Sequence, residues 1–554
     1  MIRNPASSVT ERLGAWIASV ELEHVPARVL ELARHQRAAV AAAIHAGASS
    51  AEARAVERAL ARHAVPGRVT VLPSGERWAI ESALTLNSAR SMALDHDDYL
   101  YLGHTGHSAV LASLAVCEQE RLDGRAQLLA QVVANEVAGR VGASVVLGPQ
   151  NGQAWSFIHA AGAAAATAKL LRLDATRAAH ALAIALYQPT FTLWPGFMGP
   201  GSKVLTAAGP SLTGVQAAYC AAEGLTGARE IFEHRRKGFW RFFAFVPVKH
   251  VLSGLGTTWV TDTLAFKRYP GCAYIDTTID AVLAILEQHR AATGRALAAD
   301  EVERVEVAAS LLTVEMDNLS AEHASDHGVS PVHANFSIPV SVALAILGGR
   351  LTSHELSPAY LDAHAPEIRA LASRVSLRHD WGATFDVADA FDVTFGAASV
   401  AARLRPRDWL RVVRGYAREL GGARSHGLGL GALARGVHRT RLASLAASAR
   451  RHRAEARRSA TRPDLASVDL TRFRMAFPST VTLTTRDRLR HQARQLVPIG
   501  APGESGRLDA VRLKVESEVG SRLGEAAAAR VWATTAAADS VSIEELASAL
   551  RGVT

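Results

Sequence analysis

Only three cysteines occur along the chain, Cys117, Cys220 and Cys272, and no two of them form a CxxC pair. That excludes a disulfide framework and the usual thiolate spacings for zinc or iron–sulfur clusters. No apolar run reaches the length of a membrane span, so no transmembrane helix is expected. The N-terminal stretch MIRNPASSVTERLGAWIASV has no charged segment followed by an apolar core and a small-residue cleavage site, so it does not read as a secretory signal. These absences together point to a reducing, cytoplasmic setting. A nucleophile elbow, a Walker loop and a dinucleotide fingerprint are missing too, which leaves acyl transfer, NTP hydrolysis and hydride transfer without a motif.

Balanced charge is missing in one place only. The net charge of +9 suggests a nucleic-acid binder, but residues 401–460 hold fifteen arginines, no lysine and three acids, while the remainder has 46 basic and 49 acidic residues. The basic character belongs to one segment. Aromatic residues able to stack on bases are few there, so a helical excursion with a solvated basic face is favoured over a nucleic-acid-binding arm.

What is present is a polar cluster, ALDHDDYLYLGHTGHSAV, from Ala93 to Val110. Three carboxylates (Asp95, Asp97, Asp98), three imidazoles (His96, His104, His107) and two phenols (Tyr99, Tyr101) fall within thirteen residues, between apolar helical segments. Buried polar groups need partners or a ligand. The plain alternative is a helix cap with a solvated loop. Gly103 and Gly106 favour a site, since they let the backbone fold His104 and His107 back toward the aspartates.

Residues 1–265 read as mostly helical, with faces at Leu13/Ile17/Val20 and Val25/Val29/Leu32 and a helix over 125–145 that pairs Glu136 with Arg140. An alanine-rich helix spans 158–171, and Asp174 caps the next one. The glycine- and proline-rich turn from Pro195 leads into Lys203, placed to reach an anion near a helix start. In FKRYPGCAY, Lys267 and Arg268 add two adjacent cations at a Pro270-Gly271 turn. Short alternating runs at Val305/Val307, Val375/Leu377 and Val481/Leu483 predict strands among helices, giving an α+β domain over 266–502. Val511, Leu513 and Val515 suggest one more short strand, and the rest of the tail is helical. Acids and bases beside several cations suit a small, multiply anionic substrate, with proton removal next to a carboxylate or loss of carbon dioxide as the accessible chemistry.

An ordered set of stretches carries a family resemblance: ALDHDDY with HTGHSAV, the alanine-rich helix, GSKVLTAAG, EGLTGAREIF with GFWRFF, FKRYPGCAY with IDAVLA, and ANFSIPVSVALAILGG. In these the chain resembles the MmgE/PrpD family, over most of residues 8–400 and again from Phe473 to Thr554. The resemblance implies a fold that is mainly α with a smaller α+β domain. A large all-helical bundle domain (1–265, completed by 503–554) would carry an α+β lid domain (266–502), with an Arg-rich helical insertion at 401–467. It implies a homodimer, a site between the domains, and neither metal nor other cofactor. It also implies that Asp95, His104 or His107, Lys203 and Lys267 are catalytic. Tyr99, Gln153, Arg268 and Tyr274 are the substrate-binding candidates. Decarboxylases of the family resemble one another in a threonine where Tyr99 stands and a histidine where Gln153 stands. The expectation is therefore a cofactor-independent hydro-lyase on a small di- or tricarboxylate related to 2-methylcitrate. The alternatives are a decarboxylase of the cis-aconitate type, a proton-transfer isomerase or epimerase, and a non-catalytic binder using the arginine segment.

Overall fold

The apolar periods at the N-terminus fold as α1 (Val9–Ser19) and α2 (Ala27–Gly47); Ser8 caps α1 and Glu11 closes a capping box. The computed structural model describes residues 7–101, 103–149, 156–321, 330–395, 404–420, 450, 464–536 and 540–551. Gln153 and most of the arginine-rich segment lie outside the described residues. After α3 (Ala51–Ala61), a short hairpin pairs β1 (Pro66–Thr70) with β2 (Arg77–Trp78). Then come α4 (Ile80–Met92), β3 (Asp98–Leu100), α5 (Gly106–Glu120), α6 (Gly124–Ser144), α7 (Phe157–Leu170) and α8 (Ala175–Ala185), the last capped by Asp174. The turn α9 (Trp194–Phe197) and a 3-10 turn (Gly201–Leu205) lead into α10 (Ala208–Ala222). The alanine-rich α7 packs against α5, α6 and α10. Small side chains make that approach possible: a Cβ at Gly214 of α10 would overlap the Ala160 carbonyl of α7 and lie 2.8 Å from the Ala163 Cβ.

Glu136 and Arg140, whose spacing places them on one helix face, are both buried on α6. Arg140 donates to the carbonyls of Val251 and Thr258, while Glu136 accepts from the amides of Val260 and Thr261 at 3.0 and 2.9 Å. The pair thus clamps the segment that feeds β4 (Leu264–Phe266), which follows the short α11 (Phe239–Phe243) in the chain. A buried ion pair is held together by such additional hydrogen bonds.

Beyond β4 runs α12 (Ala273–Thr293), and then a four-stranded sheet of order β6-β5-β7-β8. Its strands are β5 (Val302–Ala309), β6 (Val375–His379), β7 (Ser479–Thr485) and β8 (Arg490–Gln495). β5 and β6 are parallel, and the other pairs are antiparallel. α12 packs on β7 and β8, and helix Ile338–Gly348 packs on α12. The architecture is mainly α with a smaller α+β part.

The short strand expected at Val511–Val515 is instead part of helix Arg507–Val515. Val511 and Val515 are buried, four residues apart, while Leu513 is 46% exposed, so the apolar spacing there has the helical period. This helix and Glu525–Ala536 both return to α2. Among the described residues no helix is long and apolar enough to cross a membrane.

Candidate functional site

β3 and β4 pair antiparallel, with Asp98 opposite Phe266 and Tyr99 opposite Ala265. One step beyond that ladder, Asp97 and Lys267 become neighbours, so the register itself brings together two residues 170 positions apart. Asp95 adopts a left-handed backbone (φ 53°), which reverses the chain after α4, and Tyr101 does the same (φ 52°) at the far end of β3. Non-glycine residues in this region are uncommon, and they cluster at sites where the surroundings hold them. The chain reversal expected of the glycines is therefore supplied by Asp95 and Tyr101. Gly106 serves another purpose. A Cβ there would overlap the Asp98 carboxylate and lie 2.7 Å from Val40 Cγ2. G106A is expected to destabilise the protein by about 1–3 kcal/mol, the cost of overpacking. Urea unfolding measures this, and an unchanged midpoint would show that Asp98 swings aside freely.

The loop is not solvated. Asp95, His96, Asp97, Asp98 and His107 are all buried, as are Lys203 and Lys267. Lys203 Nζ lies 2.9 Å from Asp95 Oδ1 and sits over the rings of Phe336 (4.9 Å) and Phe197 (5.6 Å). Lys267 Nζ lies 3.2 Å from Asp95 Oδ2, donates to Asp97 Oδ1 at 2.8 Å and to the Asp95 carbonyl at 2.6 Å. Burial alone would raise both carboxyls. The lysines hold Asp95 below its ordinary range, and His104, Lys267 and His107 hold Asp97 well below it. Burial works against the Lys267 ammonium too, but Asp95 and Asp97 raise its pKa above the ordinary lysine value. Two cations and two anions thus form a compact, dry network.

The two loop histidines differ. His107 is tied down by one hydrogen bond, Nδ1 to Ser91 Oγ at 2.7 Å, while its Nε2 lies 2.9 Å from Asp97 Oδ2 without hydrogen-bond geometry. His104 turns only Nδ1 to Asp97 Oδ2, at 2.6 Å, and is 8% exposed. An ionised carboxylate only accepts, so the proton of that bond sits on Nδ1 and Nε2 faces away from Asp97. Among the described residues Nε2 has no hydrogen-bond partner.

The remaining expected residues divide. Tyr99 is buried with its ring 6.1 Å from that of His104. The Tyr274 hydroxyl donates to the Phe336 carbonyl, behind the ring that faces Lys203. Arg268 is not drawn into the aspartate cluster: its guanidinium stacks 5.3 Å from the Tyr269 ring centre and lies 3.8 Å from Asp280. Other polar groups enter from elements that read as core. His159 on α7 meets Ser108 Oγ through Nδ1 at 3.1 Å, its ring 5.8 Å from that of His107. Burial, and then His107, push it well below the ordinary histidine value, so it is neutral. Asp276, in the first turn of α12, is buried, and neither carboxyl oxygen has a hydrogen-bond partner among the described residues; the same holds for the Tyr99 hydroxyl. Burial, and then Asp280 one turn on, push Asp276 well above the ordinary carboxyl range, while Lys267 and Lys514 oppose this. Asp276 and Asp280, four positions apart on one helix face, have the spacing of a solvated acidic edge and carry no motif in the sequence.

One atom each from Asp95, Asp97 and His104 lie within 4.8 Å of one another, a spacing that a cation can bridge. The lysine ammoniums already neutralise both aspartates at 2.8–3.2 Å. A divalent ion would meet two positive charges at that distance, so the set fits an ion-pair network better than a metal centre.

Residues 11–247 match the MmgE/PrpD N-terminal domain and residues 269–390 the MmgE/PrpD C-terminal domain. The chain is similar to a cis-aconitate decarboxylase of Aspergillus terreus, 24% identical over 400 residues, covering 68% of this chain and 79% of that protein. A second Aspergillus terreus cis-aconitate decarboxylase is 27% identical over 299 residues, covering 50% of this chain and 60% of that one. The cis-aconitate decarboxylase-like protein oryM of Aspergillus oryzae is 25% identical over 285 residues, covering 48% and 59%. With both domains matched in order around one buried aspartate–lysine–histidine network, the chain belongs to the MmgE/PrpD family.

Proposed function

We propose that this protein is a lyase acting on a small di- or tricarboxylate without a cofactor, and that its reaction is the elimination of water. The observation that carries the reading is the buried Asp97–His104 pair beside the Asp95–Lys203 pair. Lys203 binds a substrate carboxylate. Its ammonium touches one carboxylate and two aromatic faces, so donors are left over, whereas Lys267 spends its donors on Asp95 and Asp97. Lys267 is then the residue that holds the two aspartates in place.

In the elimination, His104 Nε2 takes a proton from the carbon next to the carboxylate held by Lys203. The electron pair left on carbon forms the double bond as the carbon–oxygen bond on the neighbouring carbon breaks. The departing hydroxyl leaves as water after taking a proton from Asp276. The Asp97 carboxylate stabilises the imidazolium formed on His104, and Lys203 stabilises charge building on the substrate carboxylate. A base and a protonated acid in one site suit elimination, which needs both. The similarity to cis-aconitate decarboxylases favours a second reading. There the carbon–carbon bond breaks, carbon dioxide leaves with no redox change, and protonated His104 delivers its proton to the carbon.

The test is turnover of 2-methylcitrate, citrate, cis-aconitate and iminodisuccinate by chelator-treated protein, followed by NMR in deuterated water with carbon dioxide release measured in parallel. Loss of water supports the first reading, and release of carbon dioxide supports the second. Solvent deuterium incorporated without net elimination would point to a proton-transfer isomerase. Folded protein that turns over none of the four would overturn the proposal.

Asp276 supplies a separate check. D276N keeps a neutral hydrogen-bonding group but cannot deliver a proton, so kcat should fall by about 100-fold with KM nearly unchanged. Its effect on stability has a defined sign. A buried acid whose pKa is raised by folding contributes most below its unfolded pKa and loses that contribution as pH rises. The melting temperature of D276N relative to wild type should therefore increase as pH rises from the ordinary aspartate pKa through the raised folded value. A flat difference would show that Asp276 is ionised in the fold.

A further inference from the structure

Away from the aspartate–lysine network, the C-terminal helices and the loop before Ser357 line a solvent-open cavity of ≈ 1150 Å³. Arg350, Arg512, Arg522 and His354 line it, facing two carboxylates, Glu516 and Glu525, with serine hydroxyls between. Arg350 and Arg512 each use Nε for a carboxylate, on Glu355 at 2.9 Å and Glu516 at 3.0 Å. Among the described residues their terminal nitrogens have no partner. Two guanidinium forks with open ends over a hydroxyl-lined space match phosphate or carboxylate groups, which accept two parallel N–H bonds.

One wall of this cavity is a π-turn, Glu516–Gly520. Turns of this type inside α-helices recur at functional sites. Its inner face reaches the catalytic loop. Glu518 accepts from the Ser353 amide at 3.2 Å and lies 3.6 Å from His96 Nδ1. Lys514, one turn earlier, donates to the His96 carbonyl. His96 stands between Asp95 and Asp97, the two acids on which the network is built. The cavity and the loop thus share a wall one helical turn thick. An anion that draws Arg512 away from Glu516 acts on the first residue of the π-turn.

We propose that this cavity is a second ligand site, which binds a small molecule carrying at least two phosphate or carboxylate groups and is coupled to the 95–98 loop through the 514–520 turn. The site stands independently of the lyase reading, because its test measures binding and amide exchange rather than turnover.

The test titrates the full-length protein calorimetrically with inorganic pyrophosphate and, separately, with citrate. It repeats both with R512E, whose partner Glu516 is half exposed, so that the fold tolerates the change. R350Q serves if R512E fails to fold. Saturable binding of one equivalent, weakened at least about tenfold in the variant, is expected for one or both probes. Loss of pyrophosphate affinity identifies a phosphate site, and loss of citrate affinity alone identifies a carboxylate site. Citrate held between the lysine and the histidine of the catalytic network would persist in R512E. Hydrogen exchange at the amides of 94–101 should slow when the cavity is filled. Binding that never saturates, or that is equal in the variant, overturns the site. Saturable binding that leaves exchange in the loop unchanged overturns the coupling.

Discussion

K203M is expected to lower turnover by about a thousandfold and to destabilise the fold. The Asp95 carboxylate is wholly buried, and its pKa is held down by two ammoniums, of which Lys203 is one at 2.9 Å. Removing one partner of a buried pair and leaving the other charged costs about 3–5 kcal/mol. A group that stabilises charge developing in the transition state is worth about a thousandfold in rate. The two effects separate in the double variant D95N/K203M, which removes both charges. Its stability should recover most of the loss, while its activity stays at the K203M level. Chemical denaturation and progress curves on the most active substrate measure both. Equal stability of the single and double variants would mean that water or a neighbouring group already compensates Asp95.

Exchange of His104 for glutamine should lower kcat by about 100- to 10,000-fold with a smaller loss of melting temperature than H107Q, since the glutamine amide can donate in place of the one hydrogen bond that His104 Nδ1 makes to Asp97. H107Q should show the reverse balance. His107 is fully buried, bonded to Ser91 through Nδ1 and 2.9 Å from Asp97 through Nε2, so its loss unsettles the packing around the loop. D97N should resemble H104Q in rate, because an amide can no longer fix the Nδ1 tautomer. The pH profile gives a further check. Asp97 is stabilised in its charged form by His104, Lys267 and His107 against the burial that opposes it. The stability this contributes is present above the ordinary aspartate pKa and is lost as pH falls through the depressed folded value. Acid unfolding of D97N should accordingly begin from a lower plateau and be less steep than that of wild type. If H104Q and H107Q lost activity equally, the assignment of the base to His104 would fail.

The polar loop at 95–107 stood out in the sequence because so many titratable groups in an apolar setting need an explanation. Lys203 stood out because it follows a glycine- and proline-rich turn, and Lys267 because it pairs with Arg268 just before the Pro270-Gly271 turn. The choice between His104 and His107 was not legible, since it depends on which ring nitrogen meets Asp97 and what the other one meets, and spacing along the chain does not show that. Asp276 was hidden for a related reason. Its burial comes from strands packed against α12 that lie some 200 residues further along the chain. Arg268 looked like a companion to Lys267, but neighbours along a chain leaving a strand point to opposite sides, and Asp280 takes its charge. β8 escaped notice because it is an edge strand of alternating polar residues, RHQARQ, with the arginines exposed.

The contact between Lys514 and the His96 carbonyl joins groups 418 positions apart. During synthesis every residue of the aspartate–lysine network leaves the ribosome long before that buttress exists. A prematurely terminated chain would carry the whole set of reacting groups yet lack the prop beneath them, so the loop that holds Asp95 and Asp97 takes its final support only when the last helices arrive.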